Sequence, residues 1–360
     1  MSSFFNSKIG TWLDQRLNLE PVKNLILHKK VPVHKHTIWY YLGGVTLFLF
    51  FIQVFTGILL LMYYQPTEDT AYESMQYILT KVHFGWLIRN IHSWSANLMI
   101  FFALAHMFSV FFTRAYVKPR ELTWASGMVL LVLAMAFGFS GYLLPWNELS
   151  FFATKVGTDI VSAVPFIGND LKILLRGGEE VSGATLSRFF GLHVAILPAL
   201  FTMLLSLHLL LVQQQGMSEP AHFKSLPENK KRYIPFFPDF IMRDMLLWLL
   251  INLVILSLAV FYPWDLGLKA DPLASAPTGI KPEWYFMFIF QTLKFIPPHI
   301  LIVEGETFGI LFFGSAGILW ILFPFIRIKN KYLYQYRFAP VLGILTMLFS
   351  IVMTILGYLL

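Results

Sequence analysis

The chain has 360 residues, of which 57% are hydrophobic and only 13% charged, with a formal net charge of +7. Soluble domains carry about 25% charged residues, so this composition excludes an ordinary soluble globular protein and points to an integral membrane protein. Cysteine is absent, which excludes disulfides, thiolate-held iron–sulfur clusters and any thioether-linked haem within the chain.

The lead up to the first apolar run is polar and basic, and lacks the short apolar core and small-residue cleavage site of a signal peptide. Within it Phe5, Ile9, Trp12, Leu13 and Leu17 recur at helical spacing, which predicts an amphipathic helix lying in the membrane interface. Seven apolar stretches long enough to span a bilayer follow, at about 38–62, 87–112, 123–144, 189–212, 244–263, 307–326 and 338–359. The N-terminal lead and the connections after spans two, four and six hold 18 of the 27 Lys and Arg but 7 of the 20 acidic residues. The positive-inside rule then sets the N-terminus in the cytoplasm and the C-terminus outside. The basic charge is thus a topology signal, suited to anionic lipid and not to nucleic acid.

The connections after spans three and five are each about forty residues long, fall on the outer side, and carry apolar pieces (151–167 and 285–296) too short to span. Long loops with helical pieces of their own suggest a roofed cavity at the outer membrane edge. Residues 216–238 form the most polar linker. The boundary is set near residue 220, between a four-helix half (1–220) and a three-helix half (221–360).

Histidines carry the chemistry. His92 and His106 stand fourteen positions apart on the second span, and His193 and His208 fifteen apart on the fourth. At 100° per residue these steps return to within about 40° and 60° of their starting direction, roughly 21–22 Å along the axis. A lone histidine in a spanning helix is as readily a packing residue as a ligand. Two matched pairs on helices running the same way favour two axially ligated haems, His92 with His193 nearer the outside and His106 with His208 nearer the cytoplasm. Gly43 and Gly57 on the first span and Gly127 and Gly141 on the third repeat the fourteen-residue step, which suggests room for porphyrin edges as well as close helix contact. Arg89, one turn before His92, suits a haem propionate or a snorkelling interfacial role. Glu283, in a Pro-Glu-Trp-Tyr motif at 282–285, is a carboxylate at the edge of an apolar run, where desolvation raises its pKa and lets it take a proton from a quinol. The Gly-Tyr-Leu-Leu-Pro-Trp motif at 141–146 offers an opposing wall, although Trp and Tyr there also fit an interfacial belt.

These motifs, with Leu-Gly-Gly at 42–44, Gly-Trp-Leu-Ile-Arg at 85–89, Lys-Pro-Arg-Glu-Leu-Thr-Trp at 118–124, Ala-Val-Pro-Phe-Ile-Gly at 163–168 and Leu-Leu-Arg-Gly at 174–177, make the chain resemble cytochrome b of the Rieske/cytochrome b complexes, the bc1 and b6f kind, over nearly its whole length. The resemblance implies an all-α membrane protein in which residues 1–220 look like the four-helix b6 polypeptide and the rest like subunit IV fused to it, without the eighth helix of the mitochondrial form. It implies two non-covalent b-type haems, quinol oxidised at an outer pocket, one electron leaving to a Rieske iron–sulfur protein and on to a cytochrome c-type acceptor, and the other crossing to reduce quinone at an inner pocket. It further implies a homodimer in an energy-transducing, bacterial cytoplasmic membrane, contributing to proton translocation. Carried over, Glu283 becomes the outer proton acceptor, surrounded by Pro282, Trp284, Tyr285, Tyr142, Pro145 and Trp146.

The departures matter. Where b6f-type proteins carry a cysteine for an extra haem, this chain has Tyr41, so a covalent third haem is not expected. The family's basic residue five positions after the last ligand is Gln213 here, and the segment at 234–244 resembles the bc1 inner site, with Arg243 for its lysine and Asp244 for its acid. Gln213, Arg243 and Asp244 are therefore the candidate inner quinone residues. Rival readings are a di-haem membrane anchor of a hydrogenase or formate dehydrogenase, which has fewer spans and no Pro-Glu-Trp-Tyr loop; a haem-bearing NADPH oxidase or ferric reductase, for which the nucleotide signature is missing; and a transporter with structural histidines.

Overall fold

The computed structural model describes residues 7–326 and 337–360. Phe5, expected in the interfacial helix, and most of the connection between spans six and seven lie outside the described residues. In hydrocarbon an unpaired peptide group costs several kcal/mol, which leaves the helix as the only local way to satisfy the backbone. Among the described residues seven helices are long and apolar enough to cross a membrane: Thr37–Leu61, Gly85–Phe112, Glu121–Leu143, Gly183–Gln215, Phe236–Phe261, Gly305–Phe325 and Ala339–Leu359. All seven expected spans are present. The fourth and fifth begin well before their apolar runs, because hydropathy marks only the lipid-facing part of a helix that continues into polar ends.

The elements that position the site are α1 (Lys8–Leu17), α2 (Glu20–His28), α3 (Tyr41–Leu61), α4 (Ala71–Thr80), α5 (Gly85–Phe112), α6 (Glu121–Leu143), α7 (Glu148–Ser162), α8 (Gly168–Arg176), α9 (Gly183–Gly191) and α10 (Leu197–Gln215), then α11 (Ile241–Phe261), α12 (Trp284–Phe295), α13 (Gly305–Leu322) and α14 (Ala339–Leu359). Helix α1 starts at Ser7, whose hydroxyl accepts from Gly10 N at 3.0 Å. Its Ile9, Trp12 and Leu17 remain exposed, as the interfacial reading requires. Strand content is slight: β1 (Lys30–Pro32) pairs antiparallel with β2 (Tyr233–Pro235) in register Val31↔Ile234, and β3 (His299–Ile300) with β4 (Val303–Glu304). The first pair fastens the polar linker after α10 to the N-terminal segment.

Helices α3, α5, α6 and α10 form the bundle. Helix α3 packs along α5, α5 on α6, and α6 on α10; α10 closes the ring on α3 through the stacked Phe50 and Phe201 rings, 4.7 Å apart. Helices α5 and α10 therefore face each other diagonally across the centre. Leu49, Ile100, Ala134, Phe201 and Ile255 fill the shared core. Helix α11 packs on α3 and α5, α13 on α6, and α14 on α5 and α12, so the last three spans pack on the outside of the bundle. An aromatic stack binds the halves, with Phe111 on Trp320 at 4.5 Å and Trp124 Nε1 donating to the Trp320 carbonyl at 3.0 Å.

Between α6 and α9 the expected roof is present as α7 and α8. Buried Arg176 organises it, donating to Thr158 Oγ1 and to the Lys155 and Glu179 carbonyls, each at 2.7 Å, and to Asp159 at 2.8 Å. The buried guanidinium is thus supplied with acceptors on every side, as a buried charge requires. The other short apolar piece is α12, and α4 is a roof helix that hydropathy alone did not reveal.

A candidate di-histidine centre and a half-buried carboxylate

The four histidines converge on the middle of the bundle. The rings of His92 on α5 and His193, at the head of the fourth span, lie 6.3 Å apart between centres and are inclined at 72°. His208 is close enough to His106 for the two rings to interact electrostatically. Both pairs expected from the spacing are thus brought together, and among the described residues no third His, Cys, Asp or Glu joins either as a metal cluster.

The fifteen-residue step on the fourth span has a local cause. Leu192–Ile196 is a π turn, preceding Pro198 in α10. Proline has no N–H to offer the preceding turn, and a π turn inserts one extra residue into the helix. Fifteen residues of this span therefore sweep nearly the angle of fourteen in a regular helix, which brings His193 and His208 back into phase with His92 and His106. The proline was the available signal, but spacing arithmetic on an ideal helix does not show the bulge.

Each expected glycine lies against one histidine ring. A Cβ on Gly57 would stand 3.3 Å from Cε1 of His92, on Gly43 3.2 Å from that of His106, on Gly127 3.1 Å from that of His208, and on Gly141 2.6 Å from that of His193. The room they make is first of all room for imidazoles. Hydroxyls one residue before three of these glycines hold Nδ1 of the same rings: Thr56 Oγ1 to His92 Nδ1 at 2.8 Å, Ser126 Oγ to His208 Nδ1 at 3.0 Å, and Ser140 Oγ to His193 Nδ1 at 3.1 Å. With Nδ1 engaged, Nε2 is the ring nitrogen left for a metal. Before Gly43 the residue is Leu42, and His106 Nδ1 has no hydrogen-bond partner among the described residues. This recurring hydroxyl–glycine pair was legible in the sequence and was missed. Because Gly141 is the tightest, Gly141→Ala is expected to displace His193 and perturb the spectrum of the group it faces more than Gly57→Ala does; equal spectra of the two variants would contradict this.

Glu283 is the cap residue immediately before α12. Burial raises its pKa above the ordinary carboxylate value, the cost of holding a charge in an apolar setting. Tyr142, Tyr285 and Tyr358 all stand within electrostatic reach of it, and burial likewise raises the Tyr285 phenol. Trp284 Nε1 donates to Asn97 Oδ1 at 2.9 Å. Lys281, next to Pro282, reaches the Tyr358 carbonyl at 3.3 Å. Trp146 is buried in the roof core, edge-on to Phe151 at 5.5 Å. Arg89 is buried and donates to the Trp264 and Asp265 carbonyls, which leaves three of its five N–H donors for another acceptor.

At the opposite end of the bundle, Asp244 on α11 lies against Gly44, where any side chain would collide with its carboxylate. Its Oδ1 is buried with no hydrogen-bond partner among the described residues. Gln213 is exposed and accepts from Lys29 Nζ at 2.5 Å, and that Nζ stands 4.6 Å above the Phe236 ring. Burial lowers the Lys29 pKa. Arg243 is exposed one residue before Asp244, and no hydrogen bond joins Gln213 to either of them among the described residues. Tyr41, at the place of the missing cysteine, is buried and stacks on Phe240 at 4.5 Å.

A family model described as cytochrome b/b6/petB matches residues 27–216, and one described as cytochrome b(C-terminal)/b6/petD matches residues 269–359. The chain belongs to the cytochrome b/b6 family. It is 47% identical over 347 residues to the cytochrome bc complex cytochrome b subunit of Chlorobaculum thiosulfatiphilum, covering 96% of this chain and 80% of that one. It is 45% identical over 214 residues to cytochrome b6 of Synechococcus sp. (strain JA-3-3Ab), covering 59% of this chain and 99% of that one. A solved structure titled hyperthermophilic respiratory Complex III aligns with TM-score 0.82 and 29% identity over 97% of this chain and 91% of that one. As a cytochrome b this is an integral membrane electron-transfer protein, and membership implies b-type haems. The histidine rings fit such a group. A metal bonded to one nitrogen of each ring at about 2.0 Å, with about 1.1 Å from that nitrogen to its ring centre, sets the two centres roughly 6.2 Å apart, close to the 6.3 Å separating His92 and His193.

Proposed function

We propose that this cytochrome b serves in a bc-type complex as the membrane subunit that oxidises quinol at the Glu283 end and reduces quinone at the Asp244 end. The observation that carries the reading is the ring gap between His92 and His193 together with the half-buried carboxylate of Glu283, whose pKa burial raises, on the same end of the bundle. His92 with His193, and His106 with His208, would each hold one haem without covalent attachment, with the glycines on α3 and α6 making space for rings and porphyrin edges and Arg89 offering its free donors to a propionate. When bound, the two haems supply one-electron carriers spaced along α5 and the fourth span.

At the quinol end the residues of this chain do the proton work. Glu283 accepts a proton from a quinol hydroxyl, because a desolvated carboxylate is a stronger base than one in water. Tyr142, Tyr285, Pro282, Trp284, Pro145 and Trp146 shape the wall and keep water out. One electron goes to a Rieske iron–sulfur protein and from there to a cytochrome c-type acceptor, and the other is retained for the Asp244 end. There the carboxyl group of Asp244, whose Oδ1 has no partner among the described residues, donates a proton to quinone when it is in its protonated form, while Lys29, held by Gln213, restores the positive charge that position 213 lacks, with Arg243 nearby. The loop charges support an N-terminus in the cytoplasm of a bacterial energy-transducing membrane, with the Glu283 end outside, so that protons are taken up inside and released outside. A division near residue 220 is supported by the extents of the two family models, and the subunit is inferred to work as a homodimer.

Quinol added to the oxidised complex tests the reading optically. The expected result is reduction of the haems, with further reduction when a high-potential acceptor is supplied in the presence of a blocker of the Asp244 end. Haems that stay oxidised under quinol would contradict the reading.

A further inference from the structure

We propose that Asn97 is a positioning residue for the quinol end, acting through Trp284 on the Glu283 carboxylate. The proposal rests on the reading of Glu283 given above. One face of α5, beside His92, grips the long connection between α11 and α12 in four places. Arg89 donates to the Trp264 and Asp265 carbonyls, Asn90 Oδ1 accepts from Trp264 N at 2.9 Å, and Trp94 Nε1 donates to the Tyr262 carbonyl at 2.8 Å. These three residues hold the start of the connection. The fourth contact, Trp284 Nε1 to Asn97 Oδ1 at 2.9 Å, holds its far end.

The geometry makes this contact a setting device. Asn97 Nδ2 donates to the Ser93 carbonyl at 3.0 Å, which fixes which way the amide points and leaves Oδ1 as the acceptor. An indole has a single N–H, and here its partner is 187 residues away in sequence. Trp284 is the first residue of α12 and Glu283 the cap before it, so the depth at which the indole is held decides where the helix starts and where the carboxylate stands. On the other side, the Tyr285 hydroxyl abuts Gly138 of α6, where a Cβ would overlap it. The motif is thus seated between α5 and α6, with one directed hydrogen bond and one close fit. An amide inside an apolar span is costly unless it has such a task.

The test uses the assembled complex with Asn97→Ala, Trp284→Phe, the double variant and Glu283→Gln. If Asn97 acts through the indole N–H, each single variant and the double variant lower kcat for quinol oxidation by the same factor, roughly tenfold to a hundredfold. The acid limb of the pH profile moves, while haem content, haem spectrum and quinol KM are unchanged. A normal kcat in Asn97→Ala, or losses that multiply in the double variant, overturns the proposal. Should Asn97→Ala fail to assemble, Asn97→Leu takes its place, because it keeps the side-chain volume and removes the acceptor of the indole N–H; a normal kcat there overturns the proposal. Glu283→Gln separates the two levels. If it is slow while Asn97→Ala is normal, only this inference falls; if it turns over normally, the reading of the quinol end falls and this inference with it.

Discussion

Glu283→Gln is expected to slow quinol oxidation by about a hundredfold or more, the usual contribution of a positioned general base, without loss of haem. The sign of its pH dependence follows from burial. The carboxylate must be unprotonated to accept the quinol proton, and desolvation sets its pKa above the ordinary value. The rate of the unaltered complex therefore rises with pH through an acid limb lying above the usual carboxylate range, and is lost as pH falls below it. Glutamine cannot titrate, so the variant keeps a low rate with that limb removed. Stopped-flow haem reduction across pH checks both points; an unchanged limb in the variant would assign the titration to another group.

His193→Ala is expected to reduce the haem content of the complex from two per chain to one. The remaining His92 keeps its hydroxyl from Thr56 and its contact with Gly57, but a single imidazole leaves one face of the metal open and removes half of the ligation that holds the group. The pair of His106 and His208, about 21–22 Å further along the helices, should be spectrally unaltered. Its absorbance is the internal control, measured by difference spectra at quinol and dithionite potentials. Retention of both haems with unshifted spectra would remove His193 from the ligand set.

The spans, the bundle and the histidine pairing were legible in the sequence because each depends on a local periodicity: apolar length for the spans, helical phase for the histidines. Glu283 was legible as a motif next to an apolar run. What stayed hidden depends on contacts between residues far apart or on departures from ideal helix geometry. The π turn at Leu192–Ile196 corrects a phase that ideal arithmetic leaves about 60° out. Gly43, Gly57, Gly127 and Gly141 were expected at porphyrin edges, yet each lies against an imidazole, a distinction that spacing alone does not contain. Lys29 reaches Gln213 across 184 positions, and Asn97 reaches Trp284 across 187. No window of sequence joins such residues; the β1–β2 pairing and the packing of α5 do.

The central claim is that two haems are each held between a histidine of α5 and one from the fourth span. A pyridine haemochrome determination on the purified complex, combined with low-temperature electron paramagnetic resonance, tests it most directly. The expected result is two non-covalent b-type haems per chain, both low-spin with two imidazole ligands. One haem per chain, or a high-spin signal from an open axial position, would contradict it.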